Sequence, residues 1–365
     1  MIIGIDGNEA NVENLVGVSV YTRSLLSHFQ KKATTKTRFN VFLRYKPLDS
    51  MPIENEFYKY HVVAPSFLFS QVTLPLALMS KNDTDVFFSP AHYAPRVSPA
   101  PTVVTIHDLS YFYYPKEFLR KDLYQLKRWT AYSVRNARKV ICVSEATKKD
   151  LMKYYKTPEE KITVVYNGYE KEQISNLKSK NHGLKLKARK YILYVGTLQP
   201  RKNIHTLINA FEKFQKENKD FKLVLAGKKG WLYDGIFELV KTHGLQDRVI
   251  FAGYVSDHEL HQLYQDAFCF ALPSFYEGFG IPILEAMNEG VPVIAAGSSA
   301  LPEVGGDACL YFDPYNADKL VLLLNRLKKD KKLASSMIAK GKTRIKLFSW
   351  KKCAEETLRV IKSAV

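Results

Sequence analysis

The sequence predicts an α/β chain built from two doubly wound parallel-sheet halves. Three observations carry this: a length of 365 residues, a strand-helix alternation that starts twice, and one polar tract where it stops. A chain of this length suffices for two ordinary domains, each with its own core. Strand and helix in alternation imply right-handed crossovers and a parallel sheet covered on both faces.

In the first half, Met1 to Asp6, Phe39 to Arg44, Val86 to Ser89, Thr102 to Ile106, Val140 to Val143 and Ile162 to Tyr166 read as buried strands. Helical patterns at Ser19 to Lys31, Glu117 to Ala137 and Glu145 to Tyr155 lie between them. From Glu170 to Lys190 apolar residues thin out and Lys, Asn, Ser and Gly take over, the composition of a linker. Alternation resumes with Tyr191 to Val195, Phe221 to Ala226, Val249 to Ala252, Phe268 to Leu272 and Val291 to Ala296. The expected domains are residues 1–175 and 188–345, with a closing helix in residues 348–365 that returns to the first half.

The hydrophobic content of 46% and charged content of 25% are globular proportions, whereas the net charge of +18 asks for a polyanionic partner. Nucleic acid, an anionic membrane surface and phosphorylated substrates all qualify. Cys142, Cys269, Cys309 and Cys353 form no CxxC pair, so neither a zinc site nor a disulfide framework is expected, and a reducing compartment is the default. The opening MIIGIDGNEA reads as a core strand rather than a secretory signal, which points to the cytoplasm. Val62 to Ser80 is long and uncharged, but Pro65, Ser66, Ser70, Gln71, Thr73 and Pro75 interrupt it. No bilayer-spanning helix is expected there, and a partly exposed apolar helix touching lipid fits the pattern.

Ligands of open parallel sheets bind beyond the carboxyl ends of the strands. Those ends carry His107 and Asp108, Gly196 with Arg201 and Lys202, Gly253, and the loop FYEGFGIPILEAM. In that loop Glu277 and Glu285 are separated by Gly278, Gly280 and Pro282. Pro282 suits the first position of a helix, which places Glu277 on the loop and Glu285 in the first helical turn. Acidic residues are favoured in a first turn without any ligand, so the pair alone has both a structural and a ligand-binding reading.

Arg201 and Lys202 stand just before a helical pattern, where charge and helix dipole together make an anion site suited to pyrophosphate. The arrangement is neither a GxGxxG fingerprint nor a P-loop. His107 offers a donor and an acceptor nitrogen for a sugar hydroxyl or a developing charge, or is a satisfied turn residue. Asp83, Thr84 and Asp85 resemble a metal-binding DxD but read as the polar lead-in to a strand; no metal is expected. Lys116 to Lys139 holds eight basic and two acidic residues. Arg120, Lys127, Arg128, Arg135 and Arg138 recur at near-helical spacing with Tyr124, and Leu119, Leu123 and Leu126 mark the other face. Such a face is a solvated surface or one attracted to anionic lipid, each cation contributing about 1 kcal/mol. No RRM, KH or zinc-knuckle signature accompanies it, so nucleic acid is not expected as a partner.

With these residues in hand, the chain resembles the retaining glycosyltransferases of family 4, mannosyltransferase-like members among them. That family has the GT-B fold, two doubly wound Rossmann-like domains facing each other across a cleft. The resemblance runs over nearly the whole length and rests on FYEGFGIPILEAM, VGTLQPRKN, AGKKGW and SSALPEVGGDA. It implies that Glu277 holds donor-sugar hydroxyls, that Gly278, Phe279 and Gly280 present backbone amides near the sugar, and that Glu285 accepts from the ribose diol. Arg201 and Lys202 would bind the donor diphosphate, with Gly196 at the turn before them. Gly253, Tyr254 and Val255 would lie near the base, while His107 and Gly17 would face the cleft from the first domain. Relatives commonly read GGIGRYT where this chain has VGVSVYT, so of that loop only Gly17 is carried over.

The resemblance further implies hexose transfer, with mannose favoured, from a GDP- or UDP-linked donor to a polysaccharide or lipid-linked saccharide, with no separate cofactor. Two other readings come from different classes: a sugar-nucleotide 2-epimerase of the same fold, which needs no acceptor, and a basic nucleic-acid-binding protein that keeps the scaffold without catalysis.

Overall fold

The computed structural model describes residues 1–65, 68–81, 83–170, 186–231 and 233–365. Residues 171–185, most of the expected linker, lie outside the described residues, as does Ser66. The chain divides into two compact units, one comprising Met1–Gly168 with Phe348–Val365 and the other Tyr169–Leu347.

The first unit contains a parallel sheet of seven strands: β1 (Ile2–Asp6), β2 (Arg38–Leu43), β3 (Tyr58–Val62), β4 (Val86–Ser89), β5 (Thr102–Ile106), β6 (Lys139–Cys142) and β7 (Ile162–Val164). Their spatial order is β3-β2-β1-β4-β5-β6-β7. Every residue of β4 and β5 is buried, which is why these strands read as unbroken apolar runs rather than as alternations. Edge strand β3, with the sequence YKYHV, was not expected: its Lys59 and His61 interrupt the apolar signal at an edge, where a strand has a neighbour on one side only. On one face of the sheet Ile3, Ile5, Tyr21, Phe29 and Phe39 form a core with Trp350, Ala354, Leu358 and Ile361 of the closing helix Trp350–Lys362. Ser349 caps that helix by accepting from the Lys352 N–H.

The second unit holds β8 (Tyr191–Val195), β9 (Lys222–Ala226), β10 (Val249–Gly253), β11 (Cys269–Leu272), β12 (Val293–Ala296) and β13 (Cys309–Phe312), all parallel. Their order is β10-β9-β8-β11-β12-β13, the dinucleotide-fold arrangement of three strands on each side of a reversal. Edge strand β13 was also missed in the sequence. Strand order reverses between β1 and β4 in the first unit and between β8 and β11 in the second, and a crevice opens beyond the carboxyl ends at each reversal.

Most expected strands shift by one or two residues at an end. The basic helix is shorter than expected, because Pro115–Glu117 form a separate 3-10 turn and the helix itself runs from Arg120 to Asn136. Leu119 precedes it in extended conformation and is 75% exposed, so it does not share the half-buried face of Leu123 and Leu126.

Candidate functional site

The second unit brings together three of the residues singled out in the sequence. Arg201 and Lys202 lie in the short 3-10 turn Pro200–Lys202 after β8, and Glu277 lies in the loop after β11. Those two strands are neighbours at the reversal of strand order, so the topology aims both loops into one crevice. Lys202 Nζ stands 2.7 Å from Glu277 Oε1 and donates to Oε2 at 2.8 Å, and an Arg201 guanidinium nitrogen lies 3.7 Å from the same carboxylate. Arg201 also donates to the Tyr276 carbonyl at 2.6 Å.

Glu277 is further held by two serines to which the sequence assigned no role. Ser274 donates to Oε1 at 2.6 Å, and the Glu277 N–H donates to Ser299 Oγ at 2.8 Å. Burial pushes the Glu277 carboxyl up, but the Lys202 and Arg201 charges outweigh it and hold the group below the usual carboxylate range. Glu277 is therefore an anchored carboxylate between two cations. Asn203 ties the cationic turn to the sheet by donating to the Pro273 and Pro314 carbonyls.

Glu285 needs a correction. The helix after the loop runs Ile281–Asn288 with Gly280 as its N-cap, so Pro282 is its second residue and Glu285 its fifth, beyond the first turn. The early start follows from Gly280, whose φ of 109° lets the chain turn directly into the helix. Glu285 is held instead by the buried Tyr264 hydroxyl, which donates to Oε2 at 2.8 Å. Gly278, Phe279 and Gly280 form the turn between the two glutamates; the Phe279 ring is buried, so what this segment can offer a ligand is backbone.

Gly196, Gly227 and Gly253 line the carboxyl ends of β8, β9 and β10. The Gly196 N–H donates to the Ala226 carbonyl at 2.9 Å and the Gly227 N–H to the Gly253 carbonyl at 2.7 Å. Next to this shelf Tyr254 is exposed with Lys228 Nζ 4.9 Å from its ring centre, whereas the Val255 side chain is buried.

His107 and Gly17 belong to the first unit. His107 follows β5, and its Nε2–H donates to the Pro90 carbonyl at 2.7 Å. Tyr21 packs edge-on against the ring at 4.8 Å, and His92, a residue missed in the sequence, lies 5.9 Å away. Burial, aided by His92, lowers the His107 pKa to about 4, so the ring is neutral at pH 7 with its proton on Nε2 and Nδ1 left as an acceptor. Gly17 opens the helix Gly17–Lys31 at φ 28°, exposed to solvent. Asp85 is spent on the fold at the opposite end of the sheet, accepting from the Ile2 N–H at 2.7 Å.

Two Rossmann-type parallel sheets are the architecture of GT-B glycosyltransferases. Residues 17–173 match the family model described as Glycosyltransferase Family 4 and residues 175–344 the one described as Glycosyl transferases group 1. O-antigen chain mannosyltransferase B of Escherichia coli is 32% identical over 290 residues, 76% of this chain and 74% of that protein. O-antigen chain mannosyltransferase RfbU of Salmonella typhimurium is 33% identical over 211 residues, 58% of this chain and 56% of that protein. Among solved structures, sucrose-phosphate synthase from Thermosynechococcus elongatus superposes with a TM-score of 0.77 at 21% identity, covering 99% of this chain and 98% of that one. WaaG, a glycosyltransferase involved in lipopolysaccharide biosynthesis, gives 0.71 at 15% identity, covering 99% of each chain. The chain belongs to glycosyltransferase family 4.

Proposed function

We propose that this glycosyltransferase moves a hexose, with mannose favoured, from a GDP- or UDP-linked donor to a polysaccharide or lipid-linked saccharide, with retention at the anomeric carbon and without a metal. The observation that carries the reading is the pairing of Arg201 and Lys202 with an anchored Glu277 carboxylate at the strand-order reversal. Transfer breaks the bond between the anomeric carbon and the diphosphate oxygen while the acceptor oxygen bonds to that carbon. The acceptor proton passes to the departing phosphate. Charge builds on the leaving oxygens, where preorganised cations lower the barrier most.

In this reading Arg201 and Lys202 take the diphosphate and Glu277 takes sugar hydroxyls beside the Gly278 to Gly280 amides. Glu285, positioned by Tyr264, takes the ribose diol. Gly196, Gly253, Tyr254 and Val255 border the nucleotide. His107, with Nδ1 as acceptor, and Gly17 serve from the first unit. Two relatives named as O-antigen chain mannosyltransferases support mannose and a polysaccharide acceptor. No helix among the described residues is long and apolar enough to cross a membrane. The basic helix Arg120–Asn136 supports peripheral docking to an anionic membrane surface, on the cytoplasmic side.

A thermal-shift panel of UDP-, GDP-, ADP- and dTDP-sugars tests the donor reading. At a hundredfold excess over its Kd a true donor stabilises by about 2.7 kcal/mol, a rise of roughly 5–10 °C for a unit of this size. A GDP- or UDP-hexose is expected to give that rise; a flat panel at such excess would sink the proposal.

A further inference from the structure

At the amino ends of β5 and β6, opposite the end that carries His107, the first unit contains a cavity of about 860 Å³. Thr102 at the start of β5 lines it, so five residues of strand, about 17 Å at 3.3 Å each, separate it from His107. Arg96, Arg138, Lys139 and Lys161 converge on it. Among the described residues none of these four makes an ion pair: Lys139 and Lys161 donate to the Glu160 and Arg135 carbonyls, and Arg96 lies over the Tyr132 ring at 4.0 Å. Glu160 is the one acidic residue of the lining. A concavity with this excess of positive charge is complementary to phosphate, which guanidinium forks and ammonium groups bind through charge-assisted hydrogen bonds.

The loop that lines it also holds a helix with an exposed apolar stripe. Val72, Leu76 and Met79 recur at helical spacing along the continuous helical stretch Phe69–Lys81 and are between 47% and 61% exposed. The helix that carries the stripe is tied to the loop that lines the cavity, because the Arg96 N–H donates to the Ser70 carbonyl at 2.9 Å, and Val97, which lines the cavity, is itself exposed. Cations beside uncovered aliphatic side chains match the two halves of a phospholipid. We infer that this cavity binds the phosphate of a membrane lipid headgroup while Val72, Leu76 and Met79 enter the acyl boundary. The inference rests on the membrane-docking part of the proposed function and places the contact at the amino edge of the sheet.

Flotation with vesicles of phosphatidylcholine, alone or mixed with phosphatidic acid, tests it. The full chain is expected to bind the mixed vesicles far more tightly; equal binding to both would overturn the inference. Arg96→Gln with Arg138→Gln should weaken binding to mixed vesicles roughly 30-fold, at about 1 kcal/mol per cation. The same charge change at exposed Lys351 and Lys352 of the first unit should weaken it far less, and an equal loss would overturn a localised site. Leu76→Ser with Met79→Ser should also lower vesicle binding, and wild-type binding by that pair would overturn the lipid as the source of the phosphate. All variants should keep the nucleotide-sugar melting shift. If wild type shows no such shift but the vesicle pattern holds, the donor reading fails and the docking site stands.

Discussion

In the second unit Lys202 and Glu277 are paired side chain to side chain. Two hydrogen bonds hold the ammonium on the carboxylate, and Ser274 holds the carboxylate from the other side. A cation fixed in this way is preorganised, so little reorganisation is needed when charge develops on a leaving phosphate. Glu277→Gln and Lys202→Ala are each expected to lower turnover by on the order of 100-fold, measured as nucleoside diphosphate release with whichever donor stabilises wild type. Near-wild-type rates in both would remove the site assignment. Glu277, Arg201 and Lys202 were legible in the sequence because each sits in a loop directly after an apolar run. Ser299, Tyr264 and His92 were not, because their roles depend on neighbours far along the chain: Ser299 is 22 positions from Glu277 and Tyr264 is 21 from Glu285. Ser274 is only three positions from Glu277, but which way its hydroxyl points depends on how the loop turns.

The strand ends of the second sheet are shaped by glycine where backbones close on each other. At Gly227, with φ 143°, a Cβ would stand 2.1 Å from the Gly196 carbonyl oxygen; at Gly253, with φ 67°, it would meet nothing within 4 Å. Both substitutions by Ala strain the backbone, at about 1–2 kcal/mol, but only Gly227→Ala must also push β8 and β9 apart. Gly227→Ala is therefore expected to lower the urea midpoint more than Gly253→Ala, and equal midpoints would show that the close approach carries no strain. Central strands were readable because burial on both faces leaves unbroken apolar runs, as in VFFS and TVVTI. Edge strands β3 and β13 were not, since a strand with a neighbour on one side tolerates Lys59, His61 or a half-exposed Tyr311. The position of Glu285 was misread for a similar reason, because the helix start depends on the backbone angle at Gly280 and not on Pro282 alone.

The whole molecule is not divided where the sequence is divided. The closing helix Trp350–Lys362 belongs to the first unit, where Trp350, Leu358, Val360 and Ile361 are buried in its core. At about 1.5–3 kcal/mol for each large apolar side chain, these four account for roughly 6–12 kcal/mol, comparable to the entire stability of a domain. Truncation after Leu347 should therefore unfold the first unit while leaving the second folded. Limited proteolysis would then yield a protected fragment beginning near Tyr169, and protection of Met1–Gly168 would contradict this. The same arrangement sets an order of events during synthesis. The segment Tyr169–Leu347 has all of its core residues as soon as it leaves the ribosome, whereas the first unit, although begun first, waits for the helix Trp350–Lys362 before its sheet is covered. A ribosome that stalls late thus exposes the first half of the protein, with its apolar β1 and β4 faces open, to chaperones or to aggregation.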